Sequence, residues 1–312
     1  MIFVSGENLI DLIVDKKDTY KPFVGGSSLN TAIALGRLKS KVFFHSRISN
    51  DYFGKMIFDH LKKSNVNVSL IERTNDQSTI AIVVNKKKPE FSIHFMNTAS
   101  INFKSFKINK NYLNKIKFSH FSSISLALSP SAETHIKLMH HLKRNTKSII
   151  SIDPNVRPSV IKNKKNYLQN FKKFMKYADI IKMSNEDFSY ISKNKLDSQV
   201  RYWLNKYSIK IFIITLGDKG SILYTNKYKI FQKTEKIKVI DTVGAGDSFI
   251  AGVIAYLDMN KIQSNNQITN ISKENLINCL YFATKVAEKN CLEEGNNPPY
   301  LKKVQQFINS HT

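Results

Sequence analysis

The stretch "DTVGAGDSF", Asp241 to Phe249, sets a carboxylate directly behind Gly244, Ala245 and Gly246 and ahead of an apolar run, "SFIAGVIAYL", at helical spacing. The first turn of a helix carries backbone N–H groups with no intrahelical partner, so a Gly-Ala-Gly approach to it makes an anion site. Asp247 stands among those donors. A lone Asp in that place ordinarily caps the helix. Capping does not account for the glycines ahead of it or for Asp241 close upstream. An anion site beside a base is what phosphoryl transfer to a hydroxyl requires: the carboxylate takes the hydroxyl proton and the N–H groups stabilise charge on the transferring group. The chain has no "GxxxxGK[ST]" stretch, which argues against a P-loop kinase.

Two other turns carry candidate ligand groups. In "GGSSLNTAIALGRL" the pair Gly25 and Gly26 lets backbone approach a ligand closely, and Asn30 offers both a donor and an acceptor to a polyol. A plain turn before a helix reads the same way. "ITLGDKGS" ends a buried strand with Gly217 and Gly220, as an ordinary hairpin turn or as a ligand-contacting one at the carboxyl end of a strand.

The elements that must position these turns alternate between strand and helix, which predicts a doubly wound α/β fold with a mostly parallel central sheet flanked by helices. Strands are expected at "MIFVSG", "KVFFHSRI", "FSHFSSIS", "SIISIDP", "DIIKMS" and "KIFIITLG", with amphipathic helices such as "FGKMIFDHLKKS" and "NYLQNFKKFMKYA" between them. "ENLIDLIVD" and "STIAIVVNKKKPEFSIHFM" alternate like antiparallel strands, the second turning around Lys86 to Pro89, and are expected to form a small sheet outside the main one. The polar stretch "MNKIQSNNQITNISKEN" reads as a linker before the last long helix. One domain over residues 1–312 with a small appendage fits this pattern.

Composition narrows the function classes. A chain of 312 residues, 42% hydrophobic, can bury a sizeable core. No apolar run is long enough to span a membrane, and "MIFVSGENLIDLIV" lacks the features of a secretory leader. With only Cys279 and Cys291, a disulfide framework is not expected and a reducing cytoplasm is. The net charge of +24 comes from lysines spread along the chain among many Asn and Ile, as AT-rich codons produce, while Arg is scarce. Nucleic acid is therefore not expected as a partner.

Together, "GGSSLNTAIALGRL" and "DTVGAGDSF" closely resemble the two signatures of the ribokinase-like (PfkB) carbohydrate kinases. The resemblance runs nearly end to end, and "GENLIDLIVD", "NTAS", "FSSISLALSP", "DPNVRP", "KMSNEDF" and "CLEEGNNPPY" look most like the fructokinase branch. It implies an ATP-dependent sugar kinase, D-fructose to fructose 6-phosphate, with a nine-stranded or similar sheet and a β lid over the sugar at approximately 9–24 and 78–100. Asp247 matches the base, and Gly244, Ala245 and Gly246 the anion hole. Asp11, Gly25, Gly26 and Asn30 match sugar-binding positions, with Arg157 placed to reach phosphates or sugar, or to serve structure. Thr215, Gly217 and Gly220 match the nucleotide-contacting turn, and Asn290, Gly295 and Asn297 lie in the segment lining the adenine side.

The resemblance also implies Mg²⁺ travelling with the ATP phosphates, assisted through water by an Asn-x-x-Glu motif. Here "SNED" stands in its place, leaving Asp187 or Glu186 for that role. Asp241 and Thr242 match positions that often help hold a monovalent cation such as K⁺. In some relatives the lid also forms a dimer interface, which admits a homodimer. Ser129 stands where an acidic residue is common, and Glu293 and Glu294 make the nucleotide neighbourhood acidic, as surface drift or as a changed preference. Alternatives are a 2-keto-3-deoxygluconate or other small-sugar kinase, or an inactive sugar- and nucleotide-binding regulator. The latter is expected to lose the base or an anion-hole glycine, and both are present. A Rossmann oxidoreductase lacks its "GxGxxG" after the first strand.

Overall fold

The computed structural model describes residues 1–14, 19–83 and 91–310. Its strands are β1 (Ile2–Ser5), β2 (Leu9–Val14), β3 (Tyr20–Gly25), β4 (Val42–Ser49), β5 (Asn67–Thr74), β6 (Ile80–Val83), β7 (Phe91–His94), β8 (Phe118–Ser122), β9 (Ile149–Asp153), β10 (Ile180–Ser184), β11 (Ile211–Thr215), β12 (Ser221–Tyr224) and β13 (Lys229–Gln232). Among the described residues nine of them form one sheet in the order β13-β12-β11-β10-β9-β8-β1-β4-β5. It is parallel from β11 through β5, with β12 and β13 added antiparallel at one edge.

β8 and β9 are buried throughout, and their polar residues are satisfied inside the sheet: Ser119 Oγ donates to Ser148 Oγ at 3.2 Å, and His120 Nδ1 pairs with Ser151 Oγ at 3.1 Å. Adjacent residues of β1 serve opposite cores. Val4 packs with Leu29, Ile33, Ile250 and Leu280 beneath the helices Ser27–Arg37, Ala245–Met259 and Lys273–Cys291. Phe3 packs with Leu138, Phe171 and Trp203 beneath Ser131–Asn145, Lys164–Met175 and Leu196–Tyr207. The chain builds outward from β1 to β4 and β5, then returns to β8 and builds the other way. The strand order thus reverses between β1 and β8, and the crevice outside their carboxyl ends is where such sheets hold ligands.

The six strands expected from the sequence are present, as are the helices between them. The polar linker is partly ordered: Asn265–Thr269 is a short helix whose N-cap, Ser264, accepts from the Gln267 N–H. A second sheet has the order β3-β2-β6-β7. β2 pairs antiparallel with β3, and β6 with β7 within the second expected stretch. β2 and β6 pair in parallel, an arrangement that alternation of residues does not specify. The reason is topological. β2 follows the carboxyl end of β1 and β6 follows that of β5, so both enter the small sheet from the same side and run the same way. The turn expected around Lys86 to Pro89 lies outside the described residues. No described helix is long and apolar enough to cross a membrane.

Candidate active site

The helix Ala245–Met259 starts from Gly244, which sits at φ +74 and supplies no side-chain cap. Asp247, 5% exposed, does not cap the helix. Its oxygens are held from another segment: the Ser27 hydroxyl donates to Oδ1 at 2.6 Å and Asn30 Nδ2 donates to Oδ2 at 2.9 Å. Asn30 Oδ1 in turn accepts from Asn296 Nδ2 at 2.7 Å. The two segments singled out in the sequence therefore meet at one carboxylate, with Asn30 orienting it. Gly244 is needed on two counts, the left-handed φ and the space: a Cβ there would lie 1.9 Å from Asn296 Oδ1.

Asp11 belongs to the same pocket. A Cβ on Gly25 would fall 2.1 Å from Asp11 Oδ2, so only glycine lets β3 pass that carboxylate. Gly26, at φ +109, then starts the helix Ser27–Arg37. Burial pushes the Asp11 carboxyl up to about 7; Arg157 pulls it down and Asp247 adds to the upward push. Arg157 is steadied by donating to the carbonyls of Asn155 at 3.3 Å and Val156 at 3.2 Å.

Behind the anion site lie buried charges that sequence reasoning missed. Lys182, from β10, is 4% exposed, and its ammonium donates to Asp153 Oδ2 at 2.7 Å. Burial raises the Asp153 carboxyl to about 6 against the pull of Lys182, with Asp187 and Asp247 pushing the same way as burial. A Cβ on Gly246 would come within 2.7 Å of Lys182 Nζ, so the glycine leaves room for the ammonium. Glu7, fully buried after β1, is raised by burial and accepts from Ser28 Oγ at 3.2 Å. A lysine in a lysine-rich chain carries no sequence signal. Ser27 could have been found as the first helical residue after the glycine pair.

The two carboxylates of "SNED" are placed differently. Ser184 and Asp187 form a capping box, with Asp187 Oδ2 accepting from the Ser184 N–H at 2.9 Å. Asp187 Oδ1 accepts from the Val156 N–H at 2.8 Å, tying the "DPNVRP" loop to β10. Glu186 is exposed. Among the described residues no three His, Cys, Asp or Glu side chains converge to hold a metal ion.

In the segment that the family resemblance links to nucleotide contact, Thr215 ends β11 and Gly217–Lys219 forms a single tight turn into β12. It is a hairpin turn, located at the carboxyl end of a parallel strand. Gly217 is at φ +61 with open space around a Cβ, whereas a Cβ on Gly220 would lie 2.1 Å from the Gln232 carbonyl. Asn290 needs correcting as a nucleotide-facing side chain. It is fully buried and donates to the Val243 carbonyl at 2.8 Å, bracing the anion loop from within. Asn297 likewise is engaged elsewhere, its Oδ1 accepting from Arg37 Nη1 at 2.6 Å. Asp241 joins the two loops: Oδ1 accepts from the Val243 N–H and Oδ2 from the Gly295 N–H, both at 3.0 Å. Thr242 is exposed, as is Glu294, while Glu293 lies 3.7 Å from Lys289.

A buried carboxylate at a glycine-lined helix start, held by a second glycine-led helix start on a sheet of this order, defines a ribokinase-like kinase. The sequence matches the pfkB family carbohydrate kinases over residues 1–303, and the chain belongs to that family. It is 34% identical over 286 residues to a fructokinase of Rhizobium leguminosarum bv. trifolii, covering 89% of this chain and 86% of that one. It is 31% identical over 268 residues to a probable fructokinase-5 of Arabidopsis thaliana, covering 82% of each. The fold superimposes on a fructokinase with bound ATP from Xylella fastidiosa with a TM-score of 0.92, at 23% identity over 99% of this chain and 98% of that one.

Proposed function

We propose that the protein transfers the terminal phosphoryl group of ATP to a hydroxyl of D-fructose, giving fructose 6-phosphate. The observation that carries the chemistry is Asp247, buried at a helix N-terminus yet held by Ser27 and Asn30 rather than by the helix it opens. The choice of sugar rests on the fructokinases it resembles.

The sugar is bound at Asp11, Gly25, Gly26 and Asn30, where close backbone approach and a carboxylate suit a polyol. Its reacting hydroxyl gives its proton to Asp247 as the oxygen bonds to phosphorus. The N–H groups of Gly244 and Gly246 receive the charge that develops on the transferring group, in a site fixed beforehand by Asn290, by Asp241 and by the Ala245 N–H, which donates to the Thr242 carbonyl at 3.2 Å. ATP lies towards Thr215, Gly217, Gly220 and Gly295. Both oxygens of Asp187 are taken by N–H groups, so the residues present suit a Mg²⁺ ion that arrives on the ATP phosphates rather than one chelated by protein. Such an ion neutralises phosphate charge. The Asp241 carboxylate is likewise occupied, so a K⁺ ion beside it would rely on other oxygens, among them the buried, unpartnered Oδ1 of Asn290 at the end of the helix Lys273–Cys291. The small sheet serves as a lid on the single domain, excluding water as a competing acceptor.

A panel of sugars with ATP and Mg²⁺, scored by ADP release, tests the reading. D-fructose is expected to give the highest kcat/KM. Turnover of 2-keto-3-deoxygluconate or a nucleoside with fructose inert would reject the sugar and leave the chemistry.

A further inference from the structure

We propose that Lys182 is a catalytic residue of this kinase, its ammonium reaching past Gly246 to the phosphoryl group in flight, with Asp153 as the positioning residue that holds it; the inference rests on the activity proposed above. Lys182 is 4% exposed, and a lysine so placed is costly to keep charged. It is kept charged nonetheless: burial lowers its affinity for the proton, and Asp153 more than offsets that, with Asp247 and Asp187 adding to the effect. An ammonium has three N–H donors. Among the described residues Asp153 is its one hydrogen-bond partner. Its remaining donors sit behind the start of the helix Ala245–Met259, where Gly246 is partly exposed and a Cβ would lie 2.7 Å from Nζ. The ammonium and the anion site are thus separated by a residue with no side chain.

The chemistry of the transfer calls for a cation at that point. The sugar oxygen bonds to the terminal phosphorus while the bond from that phosphorus to the oxygen it shares with the next phosphate breaks. The hydroxyl proton goes to Asp247 and the electron pair leaves with ADP. Asp247, Asp153 and Asp187 all stand near negatively charged phosphates in this reading. Lys182 is a buried cation that offsets part of this charge, and its small, rotatable head can follow oxygens that move during the step.

The full chain tests this, comparing wild type with the double variant Lys182→Met/Asp153→Asn. Removing both charges together leaves neither unpaired, which protects the fold. The expected result is a KM for sugar within about threefold of wild type and a kcat lower by roughly 10²–10³, the loss typical of one preorganised donor. A folded double variant that keeps kcat within about threefold overturns the assignment. Should that variant not fold, the wild-type complex with sugar, ADP and aluminium fluoride decides: Lys182 Nζ within about 3.2 Å of a fluoride is expected, and a separation beyond roughly 5 Å overturns it. Failure of the proposed activity is distinct, since wild type would then be inert towards every sugar while the ADP–aluminium fluoride complex still reports on Lys182.

Discussion

Replacing Asp247 by Asn separates proton acceptance from every structural role of that side chain. The amide can keep both contacts the carboxylate makes. Its oxygen can face Asn30 Nδ2, which donates at 2.9 Å in the native protein, and its NH₂ can face Ser27, whose hydroxyl now donates at 2.6 Å and would turn to accept. The loss is confined to the charge assistance of two hydrogen bonds, about 1 kcal/mol, and for a chain of this size that moves Tm by no more than roughly 4 °C. The substitution also removes one of the charges that push Asp11 and Asp153 upward, a partial compensation. Catalysis is another matter, because an amide cannot take the hydroxyl proton. General-base catalysis contributes roughly 10²–10⁴, or about 2.7–5.4 kcal/mol of barrier, and kcat is expected to fall by at least the lower figure. ATP affinity, measured by fluorescence titration, should stay near wild type because the anion site is backbone. A coupled ADP-release assay reads kcat. An Asp247→Asn protein with kcat within about fivefold of wild type would refute the assignment of the base.

The Asp11 carboxyl, raised to about 7 by burial, ionises as pH passes through that value, so kcat/KM for sugar should rise between pH 6 and pH 8 and Asp11→Asn should flatten the profile; an unchanged profile in the variant would remove Asp11 from sugar binding. The sign for stability is opposite. A carboxyl raised in the folded state contributes stability present below its unfolded value of 3.8 and lost as pH rises through about 7, so Asp11→Asn should gain in Tm over wild type on going from pH 5 to pH 8. The anion-site glycines should separate in thermal melts. Gly244→Ala meets Asn296 Oδ1 at 1.9 Å from a φ of +74 and should cost about 1–3 kcal/mol as well as kcat. Gly246→Ala meets only the movable end of Lys182, so kcat should fall with Tm nearly unchanged; equal melting losses would contradict this difference.

What the sequence revealed and what it hid follow from how each feature is encoded. Asp247 and its glycines were legible because a helix start preceded by Gly-Ala-Gly has few other uses, and the six central strands because each is short, rich in Ile, Val or Phe and followed by turn residues or a helical pattern. The edge strand β5 escaped because one side of it faces solvent and its residues, "NVSLIERT", are mixed; β12 and β13 are four residues each. The parallel pairing of β2 with β6 depends on where two distant segments enter the small sheet, which periodicity does not record. Lys182 was hidden by composition. One lysine in a chain of net charge +24 is distinguished only by its burial and by the aspartate opposite it. Asn290 shows another limit, since the sequence does not tell that its side chain turns inwards to brace the loop.

β3 ends at Gly25, beside Asp11, and the helix carrying the hydroxyl that fixes Asp247 begins at Ser27. A single residue, Gly26, therefore joins the small sheet to the support of the proton acceptor. Any displacement of β3 relative to the central sheet has to be absorbed in the torsions of that glycine or passed on to Ser27. The state of the sugar pocket and the aim of the carboxylate are in this sense geared together. The 2.6 Å contact from the Ser27 hydroxyl to Asp247 lies directly along that line of transmission, two residues from the strand that passes Asp11, so sheet and base share one short mechanical path.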